Sequence, residues 1–125
     1  MVSLGAKAGS AVFDGVELQW SFTPRSKLPK KSAFTEYFDA AAVGDQITLR
    51  HWQAGDRFQP IGLKHAVKLQ DWFVNQKVPR AQRHKLVVAT TTDREIFWVE
   101  GQRIGECAKL TPRTTQVLHW SWQRS

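Results

Sequence analysis

Apolar and polar residues alternate along the first half of the chain. Val16, Leu18, Trp20 and Phe22 fall on one side of a segment whose other side carries Glu17, Gln19 and Ser21. This period of two predicts a half-buried strand over residues 16–23. A second strand is predicted over 34–38, with Phe34, Glu36 and Phe38 on one face. A third is predicted over 47–52, where Ile47, Leu49 and His51 alternate with Thr48, Arg50 and Trp52. Between the first two, residues 24–32 are polar and basic and hold Pro24 and Pro29, the composition of an exposed loop. Gly44-Asp45 signals a turn.

The period then changes. Ala66, Leu69, Trp72, Phe73 and Gln76 recur at helical spacing, with Lys64, Lys68, Asp71 and Asn75 opposite them. Pro79 ends this helix by pushing the residue before it out of the helical region. Proline also suits the first position of a helix, so a short second helix is expected over 79–84. Residues 86–92 and 95–99 are rich in β-branched and aromatic side chains and read as strands split by Asp93-Arg94. A turn at Glu100-Gly101, a short edge element over 103–106 and a last strand over 116–122 complete the pattern. The predicted class is α+β, mainly β: antiparallel strands in a β-sandwich-like core, with one helix and a short second helix inserted. Residues 1–11 are mostly small and are expected to form a flexible segment or linker, followed by a single domain over 12–125.

Composition narrows the function classes. The chain has 125 residues, 42% of them hydrophobic and 11% aromatic, which excludes a disordered tail. A single cysteine excludes an internal disulfide and a cysteine-rich zinc site, and points to a reducing, cytoplasmic setting. No apolar run approaches the ~18 residues of a membrane span, and the first twelve residues lack the apolar stretch of a signal peptide. The net charge of +7 is concentrated. Residues 50–85 hold Arg50, Arg57, Lys64, Lys68, Lys77, Arg80, Arg83 and Lys85 against Asp56 and Asp71, a net of +6. A basic stripe of this kind fits either a polyanion partner or a solvated face that keeps the domain soluble.

Two stretches within the stripe carry candidate chemistry. In Gly55-Asp56-Arg57-Phe58-Gln59-Pro60-Ile61-Gly62, glycines lead toward a helix whose N-terminus offers N–H groups to an anion. Arg57, Lys64 and Lys68 would add phosphate contacts there. Without a Walker or dinucleotide fingerprint, this stretch taken alone reads rather as a plain strand-to-helix connector, with Arg57 paired to a surface carboxylate. In the stretch from Lys77 to Lys85, Arg80 and Arg83 stand three apart on one face of a helical turn, and Lys77 and His84 extend the patch. Clustered cations of this type can track RNA phosphates. Of six tryptophans, Trp20, Trp72 and Trp98 sit at core-periodic positions, whereas Trp52, Trp120 and Trp122 are candidates for exposure. No nucleophile elbow, P-loop or metal-ligand spacing of the four histidines is present, so a binding module is favoured over an enzyme.

The segments 55–62 and 68–73, then Lys77-Val78-Pro79-Arg80 with Arg83, then 96–104 with Glu106, and Lys109-Leu110-Thr111 through Thr114 resemble, in order, the C-terminal domain of bacterial tRNA(Ile)-lysidine synthetases. The resemblance runs from about residue 34 to about 118. His65, His84, Val87 and Gly105 depart from the family pattern. The resemblance implies a β-sandwich of unusual topology, akin to a domain of the phenylalanyl-tRNA synthetase β-subunit. It also implies a non-catalytic domain that helps recognise the isoleucine tRNA, including its acceptor-stem region. ATP, Mg2+ and lysidine formation at the wobble cytidine would belong to a separate N-terminal domain, whose Ser-Gly-Gly-x-Asp-Ser loop is absent here. On this reading Arg57, Lys64, Lys68, Lys77, Arg80 and Arg83 contact RNA, and this chain has no catalytic, cofactor or metal residues of its own. Two other readings stay open: an interaction or homodimerisation domain with Trp52, Trp120 and Trp122 as its apolar patch, and a small enzyme centred on Cys107 or His84.

Overall fold

The computed structural model describes residues 2–4, 8–27 and 33–124. Among the described residues, ten strands occur in chain order: β1 (Val2–Ser3), β2 (Gly9–Phe13), β3 (Val16–Pro24), β4 (Thr35–Asp39), β5 (Gln46–His51), β6 (Arg57–Phe58), β7 (Val67–Lys68), β8 (Val87–Thr90), β9 (Ile96–Val99) and β10 (Gln116–Arg124). Three short helices accompany them: α1 (Ala40–Val43), α2 (Leu69–Asn75) and α3 (Arg80–Arg83). One four-stranded sheet has the order β1-β5-β8-β9 and another the order β2-β3-β10-β4, while β6 and β7 form a separate two-stranded ribbon. Every pairing is antiparallel.

The two large sheets face each other across one apolar core. β3 supplies Val16, Leu18 and Trp20 from alternate positions, as its period predicts, and β10 supplies Leu118 and Trp120. They meet Ile47 and Leu49 of β5, Val87 and Ala89 of β8, and Phe97 and Trp98 of β9. Edge-to-face ring pairs cross the layer boundary, with centroid separations of 4.9 Å for Phe38–Phe97 and 5.5 Å for Trp98–Trp120. The expected β-sandwich is the observed one.

A third layer lies behind the first sheet. Val88, Ile96 and Val99 point away from the sandwich and pack against Leu69, Trp72 and Phe73 of α2 and Phe58 of β6. The central strands β8 and β9 are therefore buried on both faces, which is why their sequences are continuous apolar runs rather than alternations. A bulge in the β8–β9 ladder breaks the register next to Thr90 and turns Phe97 and Trp98, neighbours in sequence, into the same core.

Several expectations need correction. Within residues 1–11, read as a flexible segment, Val2–Ser3 pairs with β5 and Gly9–Ala11 with β3, and Leu4 is buried in the core. Gly9 there reflects close approach: a Cβ on it would lie 2.7 Å from the Trp20 ring. The loop predicted over 24–32 falls partly outside the described residues; Pro24 ends β3, and Arg25–Lys27 form a 3-10 turn. Phe34 does not share a face with Phe38. Its left-handed backbone, φ 62°, sets it before β4, and it is 65% exposed. Helix α2 starts at Leu69, so Ala66 precedes it, while Gln76 caps its end and is exposed. In place of an edge element over 103–106, a single bridge joins Gly105 to Pro60 and a 3-10 turn covers Glu106–Ala108.

Candidate nucleic-acid interface

The ribbon β6–β7 lies over the outer layer and carries the first cationic group. Arg57 and Lys68 are direct partners across it. Such opposed side chains stand roughly 5 Å apart at Cβ, and like charges so placed repel. Neither is paired with a carboxylate among the described residues. Arg57 Nη2 donates to the Ala66 carbonyl oxygen at 3.3 Å. The two cations line a shallow groove of about 480 Å³ with Leu63, Ala66, Trp72 and Asp71. Lys64 is exposed in the loop that joins the two ribbon strands.

The second group lies at the other end of α2. Lys77 follows the helix in a left-handed conformation, φ 58°. Its N–H donates to Val74, and the Val78 N–H donates to Phe73 at 2.9 Å, which closes the helix end with the 6→1 bond of a Schellman turn. Pro79 then caps α3, where Arg80 is exposed and Arg83 is half-buried. Arg83 Nε donates to the Val78 carbonyl oxygen at 2.9 Å, which fixes its guanidinium against the turn. The seven residues of α2, roughly 10 Å of helical rise, stand between Lys68 and the turn that carries Lys77. The six predicted residues thus form two groups, with Arg57, Lys64 and Lys68 at one end of α2 and Lys77, Arg80 and Arg83 at the other.

What holds the ribbon in place was not singled out from sequence. The acid of the Gly55-Asp56-Arg57 run pairs with Arg50, not with Arg57. Arg50 donates to both Asp56 carboxylate oxygens, at 2.8 and 3.1 Å, and Asp56 also accepts the Gln53 N–H at 2.7 Å. The Asp56 carbonyl in turn receives the Leu69 N–H, which joins the loop to the first turn of α2. On the far side, Glu106 accepts the Gly62 N–H at 3.0 Å and pairs with Lys109. These two hydrogen bonds, from Lys109 first and Gly62 second, hold the Glu106 carboxyl below its ordinary range. The Gly62 N–H is therefore engaged by the protein's own carboxylate, and the expected anion cradle of glycine N–H groups is not formed there. Arg103 lies over the Trp72 ring, 5.4 Å from its centroid.

The tryptophans sort differently from their expected exposure. Trp120 is fully buried between the sheets. Trp52 is half-buried against Phe73 and stacks on His84 at 5.9 Å, while Trp122 is half-buried against Trp98 and Phe34. The three do not form one apolar patch. Cys107 is held as a neutral thiol: burial, then the nearby Glu95 carboxylate, push its pKa up to about 12. A thiol in that state is a poor nucleophile near neutral pH. Among the described residues no three His, Cys, Asp or Glu side chains gather into a metal-binding cluster, and no helix is long and apolar enough to cross a membrane.

The ribbon, α2, α3 and the clip through Glu106 all lie within residues 47–122, and that stretch matches the family described as the TilS substrate C-terminal domain. The chain belongs to this family. A tRNA(Ile)-lysidine synthase from Clostridium acetobutylicum is 39% identical over 89 residues, covering 71% of this chain and 19% of that protein. One from Dehalococcoides mccartyi is 34% identical over 88 residues, covering 70% of this chain and 18% of that protein. The chain thus spans about a fifth of the length of these relatives. In fold, it is similar to a solved TilS C-terminal domain, with a TM-score of 0.72 at 24% identity, covering 89% of this chain and 85% of that one. It is also similar to an N-terminal fragment of the phenylalanyl-tRNA synthetase β-subunit from Pyrococcus horikoshii, with a TM-score of 0.60 at 13% identity, covering 70% of this chain and 27% of that one. Two of this TilS C-terminal domain's departures from the sequence pattern have visible consequences. His84 supplies the ring that stacks on Trp52, and a Cβ at Gly105 would stand 2.6 Å from the Ile96 carbonyl oxygen.

Proposed function

We propose that this domain binds the isoleucine tRNA and positions it for ATP-dependent lysidine formation at the wobble cytidine by a separate N-terminal domain. The observation that carries the reading is the unneutralised cross-strand pair Arg57–Lys68, held on a rigid ribbon beside a second cationic group. Two like charges opposed on a two-residue ribbon repel each other, and a phosphate placed between them relieves that repulsion. Membership of a family whose relatives are tRNA(Ile)-lysidine synthases supports RNA as the source of the phosphate.

Contacts of this kind recognise shape. The major groove of A-form RNA is too deep and narrow for side chains, so phosphates and 2′-hydroxyls along the wide minor groove are what Arg57, Lys64 and Lys68 at one end of α2, and Lys77, Arg80 and Arg83 at the other, can reach. The acceptor stem is the element proposed. Holding it orients the whole tRNA, so the anticodon reaches the catalytic domain with its translational freedom already spent. No step of the chemistry falls to this chain. ATP and Mg2+ act in the other domain, and the neutral Cys107 takes no part.

The test is a salt-dependent titration by fluorescence anisotropy with a minor isoleucine tRNA, its acceptor minihelix and an unrelated tRNA. Binding retained by the minihelix, and a slope of log affinity against log salt that falls by about one in each of Arg57→Ala and Lys68→Ala, is the expected result. Folded variants with unchanged slopes refute the assignment.

A further inference from the structure

Among the described residues, four non-glycine residues adopt left-handed backbone conformations: Asp14, Phe34, Lys77 and Arg94. In this region a Cβ is strained and glycine is the residue of lowest cost. Two of the four have a local reason. Asp14 precedes Gly15 in the tight β2–β3 turn, where a short polar side chain is tolerated. Phe34 packs edge-on against Trp122, at 6.0 Å. The other two are long cations. Lys77 occupies the position after α2 that glycine ordinarily fills, and Arg94, φ 69°, occupies the corresponding point of the β8–β9 hairpin. Among the described residues neither side chain makes a hydrogen bond or an ion pair, so neither is retained for a contact within the fold.

Arg94 also has a suitable position. With Arg57, Gln59, Ala66 and Glu95 it lines a groove of about 340 Å³ that shares Arg57 and Ala66 with the groove holding Lys68. Arg57 therefore stands on a ridge between two grooves, with Lys68 in one and Arg94 in the other. Glu95 leaves the second groove with a net single positive charge. The hairpin backbone is fixed: the Thr91 N–H donates to Glu95 at 2.8 Å, the Arg94 N–H to Thr91 at 2.9 Å, and the Thr92 N–H to Val43 at 3.0 Å. The fixed turn sets where the Arg94 side chain leaves the backbone, so only the side chain itself has to be ordered when it binds.

We infer that Arg94 is a further phosphate contact, and that the RNA backbone crosses the Arg57 ridge from the Lys68 groove into the Arg94 groove. This rests on the RNA-binding reading above. At Lys77 and Arg94 alike, the fold tolerates a strained turn in order to keep a cation where glycine would be more comfortable.

The experiment compares Arg94→Gly, Lys77→Gly and Arg57→Ala in the same acceptor-minihelix titration, together with thermal melts. The expected result for Arg94→Gly is three- to tenfold weaker binding at 100 mM salt and a slope lower by about one. Its melting temperature should be equal to the parent's or up to about 5 °C higher. An unchanged slope for Arg94→Gly, when Arg57→Ala lowers it, overturns this inference and leaves the RNA-binding reading standing. Unchanged slopes for all three variants overturn both. A melting temperature below the parent's for Arg94→Gly also overturns the inference, because the side chain would then be serving the fold.

Discussion

The side chains that matter most around the ribbon are its fasteners. Glu106 receives hydrogen bonds from Lys109 and from the Gly62 N–H, and both favour the charged carboxylate. Its folded pKa lies below its unfolded value, so the stabilisation is fully present above the unfolded value of about 4.3 and is lost as pH falls through the lowered folded one. Glu106→Gln should therefore lower stability at pH 7 and flatten the dependence of urea midpoint on pH below about 4.5. Equal midpoints for parent and variant across that window would remove Glu106 as the clip. Little of this was legible from sequence. Glu106 and Gly62 lie 44 positions apart, and the sequence around an acid gives no sign of which distant N–H it will reach. The basic residues were legible because charge is read directly from composition. Their division into two groups needed the length and orientation of α2.

Elements were predicted best where one periodicity governed them. β3 shows clean alternation because one of its faces lies in the core. Helix α2 was found from Leu69, Trp72 and Phe73, its buried residues, and was misjudged at its ends, where Ala66 and Gln76 fit the spacing without being buried. β8 and β9 are buried on both faces, so their apolar runs identified strands and said nothing of facing; the bulge that turns Phe97 and Trp98 inward together leaves no local signature. Gly9 misled for a physical reason: in a small-residue segment, close packing over Trp20 and flexibility have the same composition. Besides the Glu106 clip, the ribbon depends on the Arg50–Asp56 ion pair. Asp56 is only 13% exposed at its side chain, and Arg50 holds it bidentately. Arg50→Ala should cost about 1–3 kcal/mol in urea unfolding. It should also weaken RNA binding beyond the loss of one charge, because Arg57 and Lys68 lose their fixed spacing. Destabilisation with RNA affinity unchanged at low salt would show that ribbon geometry is irrelevant to binding.

For the molecule as a whole, the decisive strand is β10. It sits between β3 and β4, pairing with Val16–Pro24 on one side and Thr35–Asp39 on the other, and it carries Trp120 into the centre of the sandwich. A chain ending at residue 115 should fail to fold cooperatively, with no sharp thermal transition and strong binding of an apolar dye. A sharp melt from that truncation would mean that the first sheet and α2 are a stable unit by themselves. The same arrangement sets a timetable for synthesis. Val16 waits for Arg124, its partner across the ladder, and at about five to twenty residues per second that interval lasts roughly 5–20 s. Throughout it, two aromatic-rich strands emerge from the ribosome without the neighbour that will separate and cover them, so the growing chain leaves apolar surface uncovered for longer than its finished size suggests.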